Sequence, residues 1–314
     1  MRIGIDIGGM SIKIGIVNED FHIIDRKVIA TDSRVKTQTE IVEAMAKAVC
    51  ELAENNHVRL SECGCVGIAC PGTVDAENGI VLYSNNLQWE NLALFEEMRR
   101  YISAPLGLAN DADAAALGEV LAGAAKGRES AILLTLGTGV GGGVILGGKI
   151  FHGCRQGGCE PGHMVIRRGG KLCTCGRKGC FEQYASASAL MAAGRKAANK
   201  NRDSLLSQMC GGDPSAIRGE HIFEAAERAD AAAQRVVEKY EENLSIGIAN
   251  LINIFRPEIV ILGGGVSAQG ENLTGELQDR VSRMCFGGAY GEIPPIVTSA
   301  LGNDAGMIGA AYLC

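Results

Sequence analysis

The stretch RIGIDIGGMSIKIGIV, residues 2–17, restricts the fold more than any other feature of the chain. Two β-branched apolar runs, 2–8 and 11–17, flank Gly8-Gly9, which reads as two strands joined by a tight turn. The same order recurs at 129–153, ESAILLTLGTGVGGGVILGGKIFHG, again two apolar runs about a glycine-rich turn. A third strand is expected over 22–30. The spacing of Ile41, Val42, Met45, Val49 and Leu52 predicts a helix over 38–55. CGCVGIACPG then reads as a buried strand ending at Pro71-Gly72, PLGLA as another, 233–255 as a long helix and RPEIVILGGG (256–265) as a buried strand ending in glycines. Strands interleaved with helices predict an α/β fold. The repeated order predicts two lobes with a cleft between them, connected through a helix over 111–127. A length of 314 residues agrees, since single cores stop growing at roughly 250–300 residues.

Charge and composition exclude some functions. The formal net charge of −6, without a long basic run, argues against a nucleic-acid surface. The N-terminal segment lacks the apolar core of a signal peptide, and no stretch reaches the ~18–20 apolar residues of a membrane span, so a cytoplasmic location is expected. Twelve cysteines in such a chain are expected to be reduced in the main. Cys50, Cys63, Cys65, Cys70, Cys210, Cys285 and Cys314 lie in or beside apolar segments and are expected to act as small hydrophobes.

Three glycine turns follow strands, at 6–11, 136–143 and 262–267. Bare backbone at such turns lets amides approach a phosphate. Gly137, Gly139 and Gly142 fit G-x-G-x-x-G, but the following segment, VILGGKIF, is a strand rather than a helix, so a dinucleotide site is rejected. No G-x-x-x-x-G-K-[ST] sequence occurs. Asp6 interrupts an apolar strand, where a carboxylate needs a partner or a cation. Two roles suit it, holding Mg²⁺ directly or through water, and capping the turn.

LANDADAAALGE (108–119) places Asn110 and Asp111 where a strand meets a helix. Helix capping accounts for one of these acids, with Asp113 favourable in the first turn. Three polar residues in four leave a ligand-facing role open for Asn110 and Asp111. In CTCGRKGCFE (173–182), Cys173, Cys175 and Cys180 offer three thiolates, with Gly176 and Gly179 allowing tight turns. A structural Zn²⁺ needs a fourth ligand. His163, in EPGH, competes for that place with Cys154 and Cys159.

Asp6 with its paired glycines, NDAD, E-P-G-H and C-x-C-G-x-x-G-C-x-E occur in one order, and together they resemble the ROK family of bacterial sugar kinases and repressors. The resemblance runs from residue 3 to about 312. It implies the two-lobed actin-like ATPase (ribonuclease H-like) fold, with a smaller lobe over 1–113 completed by a helix over 302–314 and a larger lobe over 114–301. It implies Asp111 as catalytic base and Asn110, Asp111, Glu160, His163 and Glu182 as sugar contacts. His163 is implied as the fourth zinc ligand, beside Cys173, Cys175 and Cys180, using one ring nitrogen for the metal and one for the sugar. Asp6, Gly8, Gly9 and Lys13 resemble the first phosphate turn, Gly137, Thr138 and Gly139 the second, and Gly264 with Gly265 the adenosine side. ATP, Mg²⁺ and structural Zn²⁺ are the implied cofactors, and a homodimer the implied assembly. Three positions depart from the family: Met10 replaces a threonine, Cys159 a glycine and Asp113 a common asparagine.

A repressor of this family carries a helix-turn-helix ahead of the kinase-like body, whereas here the first turn begins at residue 6. The expected activity is therefore ATP-dependent phosphorylation of a hexose, glucose at its 6-hydroxyl first. Alternatives are N-acetylmannosamine, N-acetylglucosamine, fructose and allose kinases, and a sugar-sensing regulator without turnover.

Overall fold

The computed structural model describes residues 1–153, 158–288 and 290–314. The first sheet contains β1 (Arg2–Ile7), β2 (Ser11–Val17) and β3 (Ile23–Ala30), followed by α1 (Gln38–Asn55) and β4 (Val66–Cys70). A small meander, β5 (Thr73–Asp75), β6 (Ile80–Ser84) and β7 (Trp89–Leu92), leads through α2 (Leu94–Arg99) to β8 (Leu106–Asn110) and α3 (Asp111–Ala122). Next come β9 (Ala131–Leu136), β10 (Val140–Leu146) and β11 (Lys149–Ile150), then α4 (Glu182–Ala185), α5 (Ala187–Lys200), α6 (Leu205–Met209) and α7 (Gly219–Glu227). The chain ends with α8 (Ala231–Phe255), β12 (Ile259–Gly263), α9 (Glu271–Met284), β13 (Ile296–Thr298) and α10 (Ala305–Ala310). Two five-stranded sheets are ordered β3-β2-β1-β4-β8 and β11-β10-β9-β12-β13. The paired β-rich beginnings expected from the sequence are thus present, in an α/β architecture.

One compact unit comprises Met1–Leu133, Gly143–Cys159 and Ala300–Cys314. Its sheet pairs β1 antiparallel with β2 and parallel with β4, and β4 is parallel to β8. Side chains alternate across β1, so Ile3, Ile5 and Ile7 enter the core with Met45 and Val49 of α1. Gly4, Asp6 and their neighbours take the other face. There, Gly4, Gly67 and Gly107 lie in register across three strands. A Cβ on Gly4 would run into the Met307 carbonyl, one on Gly67 into that of Ala310, and one on Gly107 into Leu313. This bare stripe admits α10 directly onto the sheet, a use of glycine separate from the phosphate turns. Thr37 caps α1 with a capping box to Glu40, worth about 1 kcal/mol.

The expectation for two of the cysteines is corrected. Cys65 and Cys314 form a disulfide across 249 residues of sequence, tying the segment after α10 to the start of β4. Cys65 is buried, as expected, whereas Cys314 is exposed; α10 on its glycine stripe carries Cys314 back to β4, a proximity that local hydropathy does not encode.

The other unit comprises Leu134–Gly142 and Glu160–Ser299. Asp230 caps α8 by accepting from the Ala232 and Ala233 amides. Phe181 is fully buried, and its ring fills the space at Gly247 of α8, where any Cβ would collide with it. No helix among the described residues is long and apolar enough to cross a membrane.

Candidate functional site

The first glycine turn is held by main-chain bonds and one buried threonine. The Gly8 amide donates to the Ser11 carbonyl at 2.9 Å, and the Thr31 amide donates to the Met10 carbonyl at 3.1 Å. Thr31, fully buried, donates its hydroxyl to the Gly8 carbonyl at 2.6 Å. Sequence reasoning missed Thr31, which lies 23 residues away and shapes the turn only after β3 returns beside β2. Met10 is 89% exposed, so its side chain adds no packing to the turn. Asp6 and Lys13 are cross-strand neighbours, with Lys13 Nζ 3.5 Å from the carboxylate and also donating to the Asn303 carbonyl at 3.4 Å. Burial raises the Asp6 pKa above the usual carboxylate value, against the opposing pull of Lys13. A cation beside Asp6 would favour the ionised carboxylate against that burial, the part Lys13 already plays here.

The second part of the site begins where β8 ends. Asn110 is the N-cap of α3: its side-chain oxygen accepts from the Ala112 amide at 2.8 Å, and its Nδ2 donates to the Gly72 carbonyl at 3.0 Å. Asp111, first residue of α3, accepts from the Ala112 amide at 3.0 Å. It lies near enough to Cys70 that its charge, after burial itself, helps push that thiol's pKa upward. At the other end of α3, fully buried Glu119 accepts from the Ala124, Ala300 and Leu301 amides at 2.7, 3.2 and 2.9 Å. It therefore fixes the loop that leads to Asn303, the residue whose carbonyl receives Lys13. The motif quoted above contains Glu119, but only the fold reveals its partners.

The cysteine stretch folds as a tight hairpin, with antiparallel bridges Val165 to Cys180 and Leu172 to Lys178. Gly176 and Gly179 take φ of 84° and 91°, a conformation that favours glycine at both positions. The ligand atoms of His163, Cys173, Cys175 and Cys180 all lie within 4.8 Å of one another. Cys173 Sγ is 3.6 Å from His163 Nδ1, and the Cys175 and Cys180 sulfurs are 3.6 Å apart. A tetrahedral ion with metal–sulfur bonds of about 2.3 Å needs ligand–ligand edges of roughly 3.5–3.8 Å, so the set fits a metal ion. The Arg177 amide lowers the Cys175 pKa, whereas burial pushes Cys180 up to about 12. Among the described residues, the group contains His163 and not the rival Cys159. The other rival, Cys154, lies outside the described residues.

The hairpin also gathers the expected sugar contacts of this unit. Burial raises the Glu160 pKa, with His163 opposing and Glu182 adding to the shift. Glu182 opens α4, accepts from the Val140 amide at 3.2 Å and lies 3.9 Å from Cys173 Sγ. Gly139 is essential to that seat, because a Cβ there would strike the Glu182 carboxylate. The turn itself has the Gly137 amide donating to the Gly139 carbonyl at 3.1 Å, with Thr138 exposed. Gly264, at φ 82°, packs against the Leu136 backbone, and Ser267 donates to its carbonyl at 2.7 Å. Gly264 and Gly265 are exposed.

The fold is that of the actin-like ATPases. A model of the ROK family matches residues 2–314. The chain is 37% identical to a glucokinase of Thermotoga maritima, covering 99% of this chain and 96% of that one. It is 32% identical to an N-acetyl-D-glucosamine kinase of Aliivibrio salmonicida, over 100% and 99% of the two chains. Its structure is similar to that of a ROK family glucokinase from Streptomyces griseus in complex with glucose and AMPPNP, with a TM-score of 0.83, 35% identity, and coverage of 100% and 98%. The chain belongs to the ROK family.

Proposed function

We propose that this protein is an ATP-dependent glucose kinase that transfers the γ-phosphoryl group of ATP to the sugar 6-hydroxyl. The observation that carries the reading is the full-length likeness to a glucokinase that holds glucose and AMPPNP. Asp111, at the positive end of α3, accepts the proton of the attacking hydroxyl. Asn110, Glu160, His163 and Glu182 hold the other sugar hydroxyls, so that the reacting oxygen faces the donor. Backbone amides at Gly8, Gly9 and at 137–139 steady phosphate oxygens as charge builds, and Lys13 adds a positive charge. Gly264 and Gly265 leave room for the adenosine. Phosphoryl transfer proceeds through a loose transition state, so positioning and charge stabilisation supply most of the catalysis.

Two metals belong to this reading. Zn²⁺ fits His163, Cys173, Cys175 and Cys180 as a closed structural site, through His163 Nδ1. Nε2 of the same ring is then free to face the sugar. Asp6 would hold Mg²⁺, which when bound neutralises charge on the ATP phosphates. The protein is taken to be a cytoplasmic homodimer.

N-acetylglucosamine is the second substrate to consider, because the similarity to the A. salmonicida kinase also spans the whole chain. A coupled ADP-release assay over glucose, N-acetylglucosamine, N-acetylmannosamine, fructose and allose separates these possibilities. Turnover with glucose at the highest kcat/KM is expected. Tight glucose binding with no ADP release from any sugar would instead make the protein a sensor.

A further inference from the structure

Beside the zinc hairpin, within the unit containing Glu160–Ser299, lies a cavity of about 300 Å³ whose lining has no use in the reaction. Four cations, Arg167, Lys171, Arg235 and Lys239, surround it, and no Asp or Glu lines it. Clustered cations are unusual in a chain of net charge −6. Lys239 pairs with Glu242, whereas Arg167 and Lys171 both lie over the Tyr184 ring, 5.4 and 5.0 Å from its centre.

The floor is apolar. Leu190 and Val236 are buried, and both phenol hydroxyls are occupied: Tyr184 accepts from the Lys171 amide at 2.7 Å, and Tyr240 donates to the Ala185 carbonyl at 2.8 Å. Asn243, the remaining neutral polar side chain of the lining, donates to the Lys239 carbonyl at 2.6 Å, so the cavity offers a polyhydroxyl ligand few partners. The groove continues between α5 and α8 into a second cavity of about 380 Å³, which shares Arg235 and adds Lys196 and Lys200. An apolar floor rimmed by cations that continue along the groove matches a ligand with an apolar body and several negative charges.

We propose that the α5/α8 groove is a second ligand site for a nucleoside oligophosphate, its base over Leu190 and Val236 and its phosphates along Arg235, Lys196 and Lys200. The site shares no residue with the glycine turns assigned to ATP. Its wall is the zinc hairpin: Tyr184 lies two residues beyond Glu182 in α4, and Lys171 two residues before Cys173. Occupancy therefore acts on the sugar-facing Glu182 through α4, a form of regulation that rests on the kinase reading above.

Isothermal titration of ADP into the intact protein tests this, with inorganic tripolyphosphate as a probe lacking the base. Wild type is expected to bind two ADP per chain. In Arg235→Ala/Lys196→Ala, which alters two exposed residues outside the proposed catalytic machinery, one site should weaken at least tenfold while turnover at saturating ATP and saturating glucose is unchanged. Glucose affinity should shift at least twofold when the second site fills in wild type, but not in the variant. A single ADP per chain, unaffected by the double substitution, overturns the groove and leaves the kinase intact. A single ADP lost in the variant overturns the ATP assignment of the glycine turns and leaves the groove. Tripolyphosphate binding in the groove as tightly as ADP refutes the role of the apolar floor. If the variant changes oligomeric state with no change in ADP binding, the groove is a contact between copies of this chain and the proposal falls.

Discussion

Replacing Cys175 by Ser removes one of the four groups placed to hold a metal ion, which when bound would close residues 163–180 onto themselves. In the chain-entropy account, crosslinking a loop of about 15 residues stabilises by about 3 kcal/mol, and opening the staple forfeits most of that. At about 2–4 °C per kcal/mol in a domain of 150–250 residues, the midpoint should fall by roughly 6–12 °C. The loss also reaches the sugar. His163 Nδ1 lies 3.6 Å and Glu182 3.9 Å from Cys173 Sγ, so both should be released when the hairpin loosens. Each hydrogen bond to a charged group is worth about 1.5–3 kcal/mol, so misplacing one of them should raise the glucose KM roughly tenfold to hundredfold. The KM for ATP should change little. Elemental analysis, a thermal scan and steady-state kinetics on the same preparation provide the three readings. A Cys175→Ser protein without zinc that kept wild-type midpoint and glucose KM would refute the claim that the metal aims these residues.

Asp111→Asn should lower kcat by about 10²–10⁴, or about 3–5 kcal/mol, with glucose binding retained, since the amide oxygen still accepts from Ala112; titration calorimetry beside kinetics checks both. Glu241, buried between α8 and α9 with Arg280 3.5 Å away, has its pKa raised to about 7 by burial, so the stabilising effect of its neutral form is complete below about pH 4.5 and lost as pH rises through 7. Glu241→Gln should accordingly stabilise the protein by about 1–2 kcal/mol above about pH 8 and have little effect near pH 4.5, as read from denaturant midpoints at the two pH values. Reduction of the Cys65–Cys314 disulfide should destabilise by about 1–3 kcal/mol, less than the roughly 5 kcal/mol of a loop this long, because α10 still packs on its glycine stripe; thermal scans with and without reductant, and with Cys314→Ser, measure it.

What was legible in the sequence was what local chemistry dictates. Alternating isoleucines marked β1 and β2, helical spacing marked α1, and the short Cys-x-Cys and Gly spacings marked a tightly turned cluster able to hold a metal. Helices α5 and α9 were not read. The buried face of α5 is Leu190, Gly194 and Ala198, too small to stand out as a periodic apolar stripe. The meander β5–β7 was missed because its strands are only three to five residues long. At the site, the motif residues were visible, but their supports were not. Thr31 under the first turn, Glu119 under the 300–301 loop and Cys314 against Cys65 act over 23, 181 to 182 and 249 residues of sequence. Such partners are chosen by topology, which spacing along the chain does not record.

The central claim is that this chain moves a phosphoryl group from ATP to glucose. Phosphorus NMR of the intact protein with ATP, Mg²⁺ and glucose tests it directly. Glucose 6-phosphate and ADP should appear in equal amounts, with no inorganic phosphate formed in step with them. Glucose binding without any sugar phosphate, under conditions where zinc is present at one per chain, would contradict it.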